Sequence, residues 1–262
     1  MFGMKLIAKI KHNARQYFWY LPEYFLTPNR FMTECQKQSM NGMYRHNSHF
    51  GGSVGYMLNQ IPQPEYISSS RWETLYTYEC ATKKMRHTAL ENDAKLDGFI
   101  SEYGVADGTS FIPLCKAVKQ KVFGFDAFEG LEDGGKWKGN IIFQKEFKFN
   151  GIIPFKTPAN GVIVKGWFED TMPNFNYEHK QAKFINVDCD NYKASKYVLN
   201  QLKNYIVPGT VISFDDYFCA YAFNTDSQFT AWKEFVEENN IHYDYLYVAA
   251  PAVIVKIKKG VI

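Results

Sequence analysis

Aspartates end two of the apolar runs in the second half of this 262-residue chain. The run AKFINVD ends at Asp188 and is followed closely by Asp190, and the run TVISFDD ends in Asp215 and Asp216. If both runs are neighbouring strands of a parallel sheet, their ends open on one crevice and bring up to four carboxylates together. Like charges at short range are costly, and a hard cation with oxygen ligands such as Mg²⁺ is a common remedy.

Two alternatives without a metal stay open for these aspartates. Asp190 could cap a helix that begins at Tyr192, and Lys193 or Lys196 could neutralise the negative charge. A metal has a chemical reason if the chain transfers a group to an alcohol, because coordination lowers the pKa of the hydroxyl and fixes its oxygen. One carboxylate could then hold the metal while another accepts the proton.

A glycine turn follows an earlier apolar run, GFISEYG. It contains Glu102, Gly104 and Gly108 and continues through Thr109 and Ser110 into a helical segment. Glycines let a backbone approach a ligand closely, and a helix N-terminus offers free N–H groups. The spacing is GxxxG, unlike the GxGxxG of dinucleotide-binding folds, and the acid beside the turn suits a ligand with a cationic amine and a sulfonium. A purely structural turn between a strand and a helix is the alternative.

A second apolar run, KVFGFD, ends at Asp126, 22 residues after Gly104. A carboxylate at the end of the second strand of a doubly wound sheet can accept hydrogen bonds from both hydroxyls of a ribose. Together, the glycine turn and this aspartate favour ligand binding at the carboxyl ends of the first two strands.

From about residue 97, short apolar runs alternate with amphipathic segments, which is typical of a parallel sheet covered by helices. The pattern predicts strands at 98–104, 121–126, 161–166, 182–188 and 210–216, and helices at 109–119, 192–205 and 227–240. Two last β-rich runs, 243–250 and 252–259, are separated only by Pro251, and so short a connection predicts an antiparallel pair. We therefore expect an α/β fold of five parallel strands with a C-terminal antiparallel hairpin.

Residues 1–85 lack this rhythm, since prolines and a glycine-rich loop interrupt their helical stretches. They are expected to form an N-terminal helical or lid region that precedes a main domain of residues 86–262. The basic amphipathic N-terminus favours packing on that domain or on a second subunit of a homo-oligomer, and contact with a membrane surface is the alternative. It has no signal-peptide pattern, and no apolar run of the chain is long enough to span a bilayer.

The amino-acid composition limits the kinds of function that the chain could have. Hydrophobic residues make up 46% and charged residues 22% of the chain, as in ordinary globular proteins. A net charge of +3, with acids and bases interspersed, argues against a nucleic-acid partner. The five cysteines are odd in number and lack a CxxC pair, so they suggest neither disulfides nor a thiolate zinc site and fit a reducing cytoplasm.

Five stretches of the chain together resemble the macrocin O-methyltransferase family: EYGVADGTS, VFGFDAFEGL, VKGWFEDTMP, FINVDCDNY and IVPGTVISFDDYF. The members of that family are class I enzymes that methylate sugar hydroxyls. The resemblance spans about residues 97–250 and implies a Rossmann-like methyltransferase fold, S-adenosylmethionine as cofactor and a divalent metal such as Mg²⁺. It also implies a small-molecule or glycan hydroxyl as the acceptor.

The resemblance also implies a role for individual residues. The cofactor would be bound by Glu102, Gly104, Gly108, Thr109, Ser110, Asp126, Ala127, Phe128, Trp167 and Asp188. The metal would be held by Asp188, Asp215 and Asp216, with Asp190 as the base. Two other functions stay open: a metal-independent methyltransferase that acts on a nitrogen or a carboxylate, and a non-catalytic module that binds S-adenosylmethionine or a sugar.

Overall fold

The computed structural model describes five segments of the chain: residues 65–66, 77–131, 147–217, 228–249 and 252–259. Most of the predicted N-terminal region lies outside them. The described residues form an eight-stranded sheet with helices packed on both faces. Within the described segments, no helix combines the length and the apolar character that a membrane span requires.

Strands and helices alternate along most of the described chain. The strands are β1 Glu65–Tyr66, β2 Phe99–Tyr103, β3 Val122–Asp126, β4 Gly161–Lys165, β5 Ala182–Val187, β6 Val211–Phe214, β7 His242–Ala249 and β8 Ala252–Lys259. The helices are α1 Thr77–Asn92, α2 Phe111–Ala117, α3 Phe168–Thr171, α4 Tyr192–Leu202 and α5 Gln228–Glu238. A 3₁₀ turn at Lys203–Tyr205 follows α4, so the helix predicted at 192–205 changes form in its last turn.

The sheet has the order β1-β7-β8-β6-β5-β2-β3-β4. Strands β2 to β6 pair in parallel, and β8 lies antiparallel between β6 and β7. The predicted α/β fold with a C-terminal antiparallel hairpin is thus confirmed. The two-residue β1, which was not predicted, extends the sheet by pairing in parallel with β7.

Two apolar clusters cover the two faces of the sheet. Along β6, Ile212 and Phe214 belong to one cluster and Val211 belongs to the other, because successive side chains of a strand point to opposite faces. All five residues of β2 are buried, as expected for a central parallel strand covered on both sides. The ends of the central strands are therefore held rigidly in place.

Helix α1 packs on the sheet through Met85, Ala89 and Leu90, which are buried in the second cluster. These residues are spaced so that they share one face of a helix. The helix continues across position 85/86, where the boundary between the N-terminal region and the main domain was predicted. Consequently, the residues around this position are packed against the sheet.

Candidate active site

Four neighbouring strands bring the predicted site residues to one edge of the sheet. Strands β6, β5, β2 and β3 are adjacent and parallel in this order, so their carboxyl ends meet at the same edge. β2 leads into the turn with Gly104, and β3 ends at Asp126. β5 and β6 lead into Asp188 and Asp215. The aspartates that follow β5 and β6 therefore lie beside the glycine turn.

The turn after β2 contains glycines in conformations that other residues rarely adopt. Gly104 has φ +92° and Gly108 has φ +81°. A Cβ atom on Gly104 would lie 1.8 Å from the carbonyl oxygen of Asp188, and one on Gly108 would lie 2.8 Å from the ring of Phe155. The close approach that these glycines allow is thus between parts of the protein itself, and Gly104 brings the turn against the chain that follows β5.

Asp126 organises the same turn. Its Oδ2 accepts hydrogen bonds from the backbone N–H groups of Val105 and Ala106, both at 2.8 Å, and its Oδ1 accepts one from Phe128 at 2.6 Å. A carboxylate can accept about four hydrogen bonds, so these backbone donors occupy most of its capacity. Asp126 therefore fixes the turn, and a bound ribose would have to use the remaining acceptor position.

The other predicted cofactor residues differ in their surroundings. Thr109 and Ser110 are partly exposed at the start of α2, and Ala127 is almost buried. The side chain of Phe128 is fully buried in the second apolar cluster, so it forms part of the core. Trp167 follows β4 and is 37% exposed, which is unusual for so large an apolar side chain.

Glu102 is a fully buried acid near the end of β2. Its Oε1 accepts a hydrogen bond from the hydroxyl of Ser110 at 2.5 Å. Burial raises the pKa of Glu102 to about 7, against the opposing effects of the Arg86 guanidinium and the Ser110 hydrogen bond. Glu102 thus contacts the start of α2 from inside the protein.

Asp188, Asp215 and Asp216 form a cluster of carboxylates, which we call the aspartate cluster. One oxygen from each residue lies within 4.8 Å of the other two. The side chains of Asp188 and Asp215 are only 22% and 16% exposed. Burial, followed by the charge of Asp215, raises the pKa of Asp188 well above its usual value. The structure therefore brings the three predicted metal ligands together in a partly buried position.

Arg86 reaches the aspartate cluster from α1. Its Nη2 donates a hydrogen bond to the carboxylate of Asp215 and lies 3.9 Å from Oδ2 of Asp188. Its Nε lies 3.4 Å from the hydroxyl oxygen of Ser213 on β6, and its side chain is only 5% exposed. This residue was not predicted from the sequence, because nothing there distinguishes it from the nearby Lys83. Only the packing of α1 shows which basic residue faces the sheet.

Asp190 lies beside the aspartate cluster in a turn with φ +62°, a conformation that aspartate tolerates better than most residues. It is half-buried. Burial and then the charges of Asp188 and Asp215 raise the pKa of Asp190 to about 8, while a hydrogen bond with Asp216 acts in the opposite direction. The predicted base is thus a neighbour of all three predicted metal ligands.

The structure contradicts two parts of the metal-free alternatives, the helix cap by Asp190 and the pairing of the aspartates with Lys196. Helix α4 is capped by Asn191, whose side chain accepts a hydrogen bond from the backbone N–H of Ala194 at 2.8 Å, so Asp190 is not its cap. Lys196 pairs with Glu234 and Glu238 of α5 at 2.8 and 2.7 Å. Its charge is therefore directed to α5.

The aspartate cluster suits a hard divalent cation. Mg²⁺ prefers oxygen ligands, and three carboxylate oxygens within 4.8 Å of one another can approach a single ion. The cluster contains carboxylates alone, without the thiolate or imidazole groups that favour softer metals. Arg86 would share the carboxylate of Asp215 with such an ion and already offsets part of the negative charge.

Comparison with known families gives the class of enzyme. Residues 101–217 match the family described as "Methyltransferase domain". The matched stretch includes the glycine turn, Asp126, Asp190 and the aspartate cluster, whereas Arg86 precedes it. The chain is therefore a methyltransferase, as the sequence predicted.

The solved structure of NovP agrees with this class at the level of the fold. The O-methyltransferase NovP matches with a TM-score of 0.53 at 16% identity, over 84% of this chain and 100% of NovP. The calicheamicin methyltransferase CalS11 matches with a TM-score of 0.47 at 17% identity, over 81% of this chain and 91% of its own. The match to NovP confirms the predicted class I methyltransferase sheet. No curated protein sequence was found to match the chain.

Proposed function

We propose that the chain is an S-adenosylmethionine-dependent O-methyltransferase that acts on a sugar hydroxyl, with a divalent metal on the aspartate cluster. The proposal rests mainly on the position of this cluster. Asp188 follows β5, which is the neighbour of β2, and its backbone meets Gly104 of the turn between β2 and α2, while Asp215 and Asp216 follow β6 on the other side of β5. A methyl donor and an acceptor oxygen bound at these two places would be neighbours. The fold that the chain shares with the O-methyltransferase NovP supports an oxygen acceptor, and the macrocin-like motifs support a sugar.

The cofactor end would be formed by the turn from Gly104 to Ser110 and by the ends of β3 and β4. S-adenosylmethionine supplies an activated methyl group on a sulfonium. The remaining acceptor position of Asp126 would bind the ribose, and the exposed indole of Trp167 would stack on the adenine. Glu102, fully buried beneath Ser110, has a pKa of about 7, and a cationic ligand bound nearby would favour its ionised form.

The acceptor end would be formed by the aspartate cluster and Asp190. The cluster would hold the divalent ion, which supplies Lewis-acid polarisation of the acceptor hydroxyl. Asp190 lies next to the cluster without being one of the three ligands. The charge of the ion would offset the charges of Asp188 and Asp215 that raise the pKa of Asp190, so that its carboxylate would be ionised and could take the hydroxyl proton. Arg86 would keep Asp215 oriented and offset the repulsion between the carboxylates.

Other parts of the proposal rest on the sequence. The cysteine content supports a reducing cytoplasm, and the charge pattern supports a small-molecule or glycan acceptor over nucleic acid. We propose that the part of residues 1–85 that precedes α1 forms a lid over the acceptor or contacts a second copy of the chain.

The test is methyl transfer from labelled S-adenosylmethionine to a panel of nucleotide sugars and native glycans. Activity should stop with EDTA and return with Mg²⁺, and mass spectrometry should place the methyl group on a sugar oxygen. Transfer that resists chelation would favour a second candidate, a metal-independent methyltransferase, in which Arg86 supplies the cation of the cluster. A methyl group found on nitrogen or on a carboxylate would contradict the oxygen acceptor.

A further inference from the structure

We infer that Gln228, the first residue of α5, is a positioning residue that fixes the distance between the two chain segments carrying the metal ligands. This inference rests on the proposed function, because it concerns the same aspartate cluster. Gln228 lies outside the stretch that matches the methyltransferase family. Its side chain is 1% exposed, which requires that its amide be hydrogen-bonded within the protein.

The amide of Gln228 connects the ends of β5 and β6. Its Oε1 accepts a hydrogen bond from the backbone N–H of Asp216 at 3.0 Å, and its Nε2 donates one to the backbone carbonyl of Val187 at 3.2 Å. Val187 is the last residue of β5 and precedes Asp188. One side chain thus joins the backbone of both ligand-bearing segments.

These bonds continue the parallel ladder beyond the strands. The carbonyl of Val187 also accepts a hydrogen bond from the backbone N–H of Asp215 at 3.1 Å, the last direct backbone bond between these segments. One residue further on, the backbone N–H of Asp216 bonds to Gln228 in place of β5. The amide therefore holds Asp216 at the point where direct pairing with β5 has ended.

Gln228 is itself held by the packing of α5. Trp232 packs on Phe214, the last residue of β6, with ring centroids 5.1 Å apart. Phe229 meets Tyr217, the residue after Asp216, edge to face at 5.5 Å. The start of α5 is thus anchored on both sides of the Asp215–Asp216 pair, so the amide has a fixed location from which to act.

Only a side chain with a donor and an acceptor in one rigid group can make this connection. An amide provides both, whereas a carboxylate lacks the donor and an apolar side chain lacks both. Metal affinity depends on ligand spacing, and groups that orient the ligands affect it strongly. We therefore expect the loss of the amide to change cation binding more than it changes the cofactor end.

The test compares Gln228→Met with the wild-type chain in two titrations, one with Mn²⁺ alone and one with S-adenosylhomocysteine alone. The variant should bind Mn²⁺ at least tenfold more weakly and S-adenosylhomocysteine within about twofold of wild type. Hydrogen exchange at the Asp216 amide should be faster, since its acceptor is lost. If Gln228→Met does not fold, Gln228→Asn keeps an amide that is too short to span both partners and should also weaken Mn²⁺ binding.

The matched control is Asn160→Leu. The Asn160 amide bonds to the backbone carbonyls of Cys115, Val118 and Gln120 at 2.9–3.1 Å, at the opposite edge of the sheet. Its loss should lower thermal stability but leave Mn²⁺ affinity within twofold. Unchanged Mn²⁺ affinity in the folded Gln228 variants, or an equal loss in Asn160→Leu, would overturn the positioning role. A wild-type chain that binds S-adenosylhomocysteine but not Mn²⁺ would overturn the metal role as well.

Discussion

The guanidinium of Arg86 donates a hydrogen bond to the carboxylate of Asp215 and lies 3.9 Å from the carboxylate of Asp188. The arginine comes from α1, while the aspartates follow β6 and β5. Its side chain is 5% exposed, so the ion pair lies in an environment with little screening by solvent. The aspartate cluster thus has a cation of its own before any metal binds.

Removal of this cation should make the fold depend on a metal. Arg86→Met leaves partly buried carboxylates uncompensated, so its free energy of unfolding in EDTA should fall by about 3–5 kcal/mol. Mg²⁺ should raise the free energy of unfolding more in Arg86→Met than in the wild type. In Arg86→Lys the increase should be intermediate. Urea denaturation with and without Mg²⁺ measures both effects. Equal stabilisation by Mg²⁺ in all three proteins would contradict this role.

Substitutions of Asp190 and of Asp126 should distinguish the roles of the acceptor end and the cofactor end of the site. Asp190→Asn removes the proposed base, so it should lower kcat at least a hundredfold while affinity for S-adenosylhomocysteine stays within about twofold. Asp126→Ala should weaken that affinity at least tenfold. It should also lower stability by about 2 kcal/mol, because backbone N–H groups of the turn lose their acceptor. Calorimetry measures the affinity for S-adenosylhomocysteine, and single-turnover methyl transfer measures the rate. Similar losses of affinity and rate in both variants would refute the assignment.

The backbone contact at Gly104 should tolerate no side chain. Gly104→Ala would place a Cβ 1.8 Å from the carbonyl oxygen of Asp188 at a φ of +92°, so we expect a loss of at least about 4 kcal/mol or failure to fold. Gly151→Ala is the control: Gly151 has φ +68°, but the atoms nearest to the new Cβ would be the flexible ends of Glu129 and Lys165. It should cost about 1 kcal/mol. Similar unfolding midpoints for the two variants would show that the contact with Asp188 is not the cause.

Glu102→Gln should change how stability depends on pH. The pKa of Glu102 is about 7 in the folded protein against 4.5 for the free side chain, so the folded state holds this proton more tightly. The contribution of protonated Glu102 to the stability of the wild type is therefore lost as the pH rises from 4.5 to 7, whereas the glutamine has no proton to lose. In EDTA, the variant should gain up to about 3 kcal/mol over wild type across this range. Parallel stability curves from pH 4 to 8 would contradict the raised pKa.

Much of the fold follows from local pattern. The apolar runs that end at Asp126, Asp188 and Asp216 correspond to β3, β5 and β6, and their ends differ by at most two residues. This agreement arises because parallel strands covered on both faces consist of short, nearly continuous apolar segments. The antiparallel hairpin followed from a connection too short for any other arrangement. Helix α1 was not predicted, since it joins the sheet from a stretch that has no strand–helix rhythm.

The sequence by itself determined that acids and glycines stand at strand ends, since strand periodicity and turn chemistry are local properties. Only the tertiary structure decided what surrounds them. It showed that Gly104 makes room for the backbone of Asp188, and that Arg86 and Gln228 contact the ligand-bearing segments. These contacts join residues far apart in the chain, and the direction of each side chain depends on which helix face packs on the sheet. Which face packs on the sheet depends in turn on the packing of the whole core.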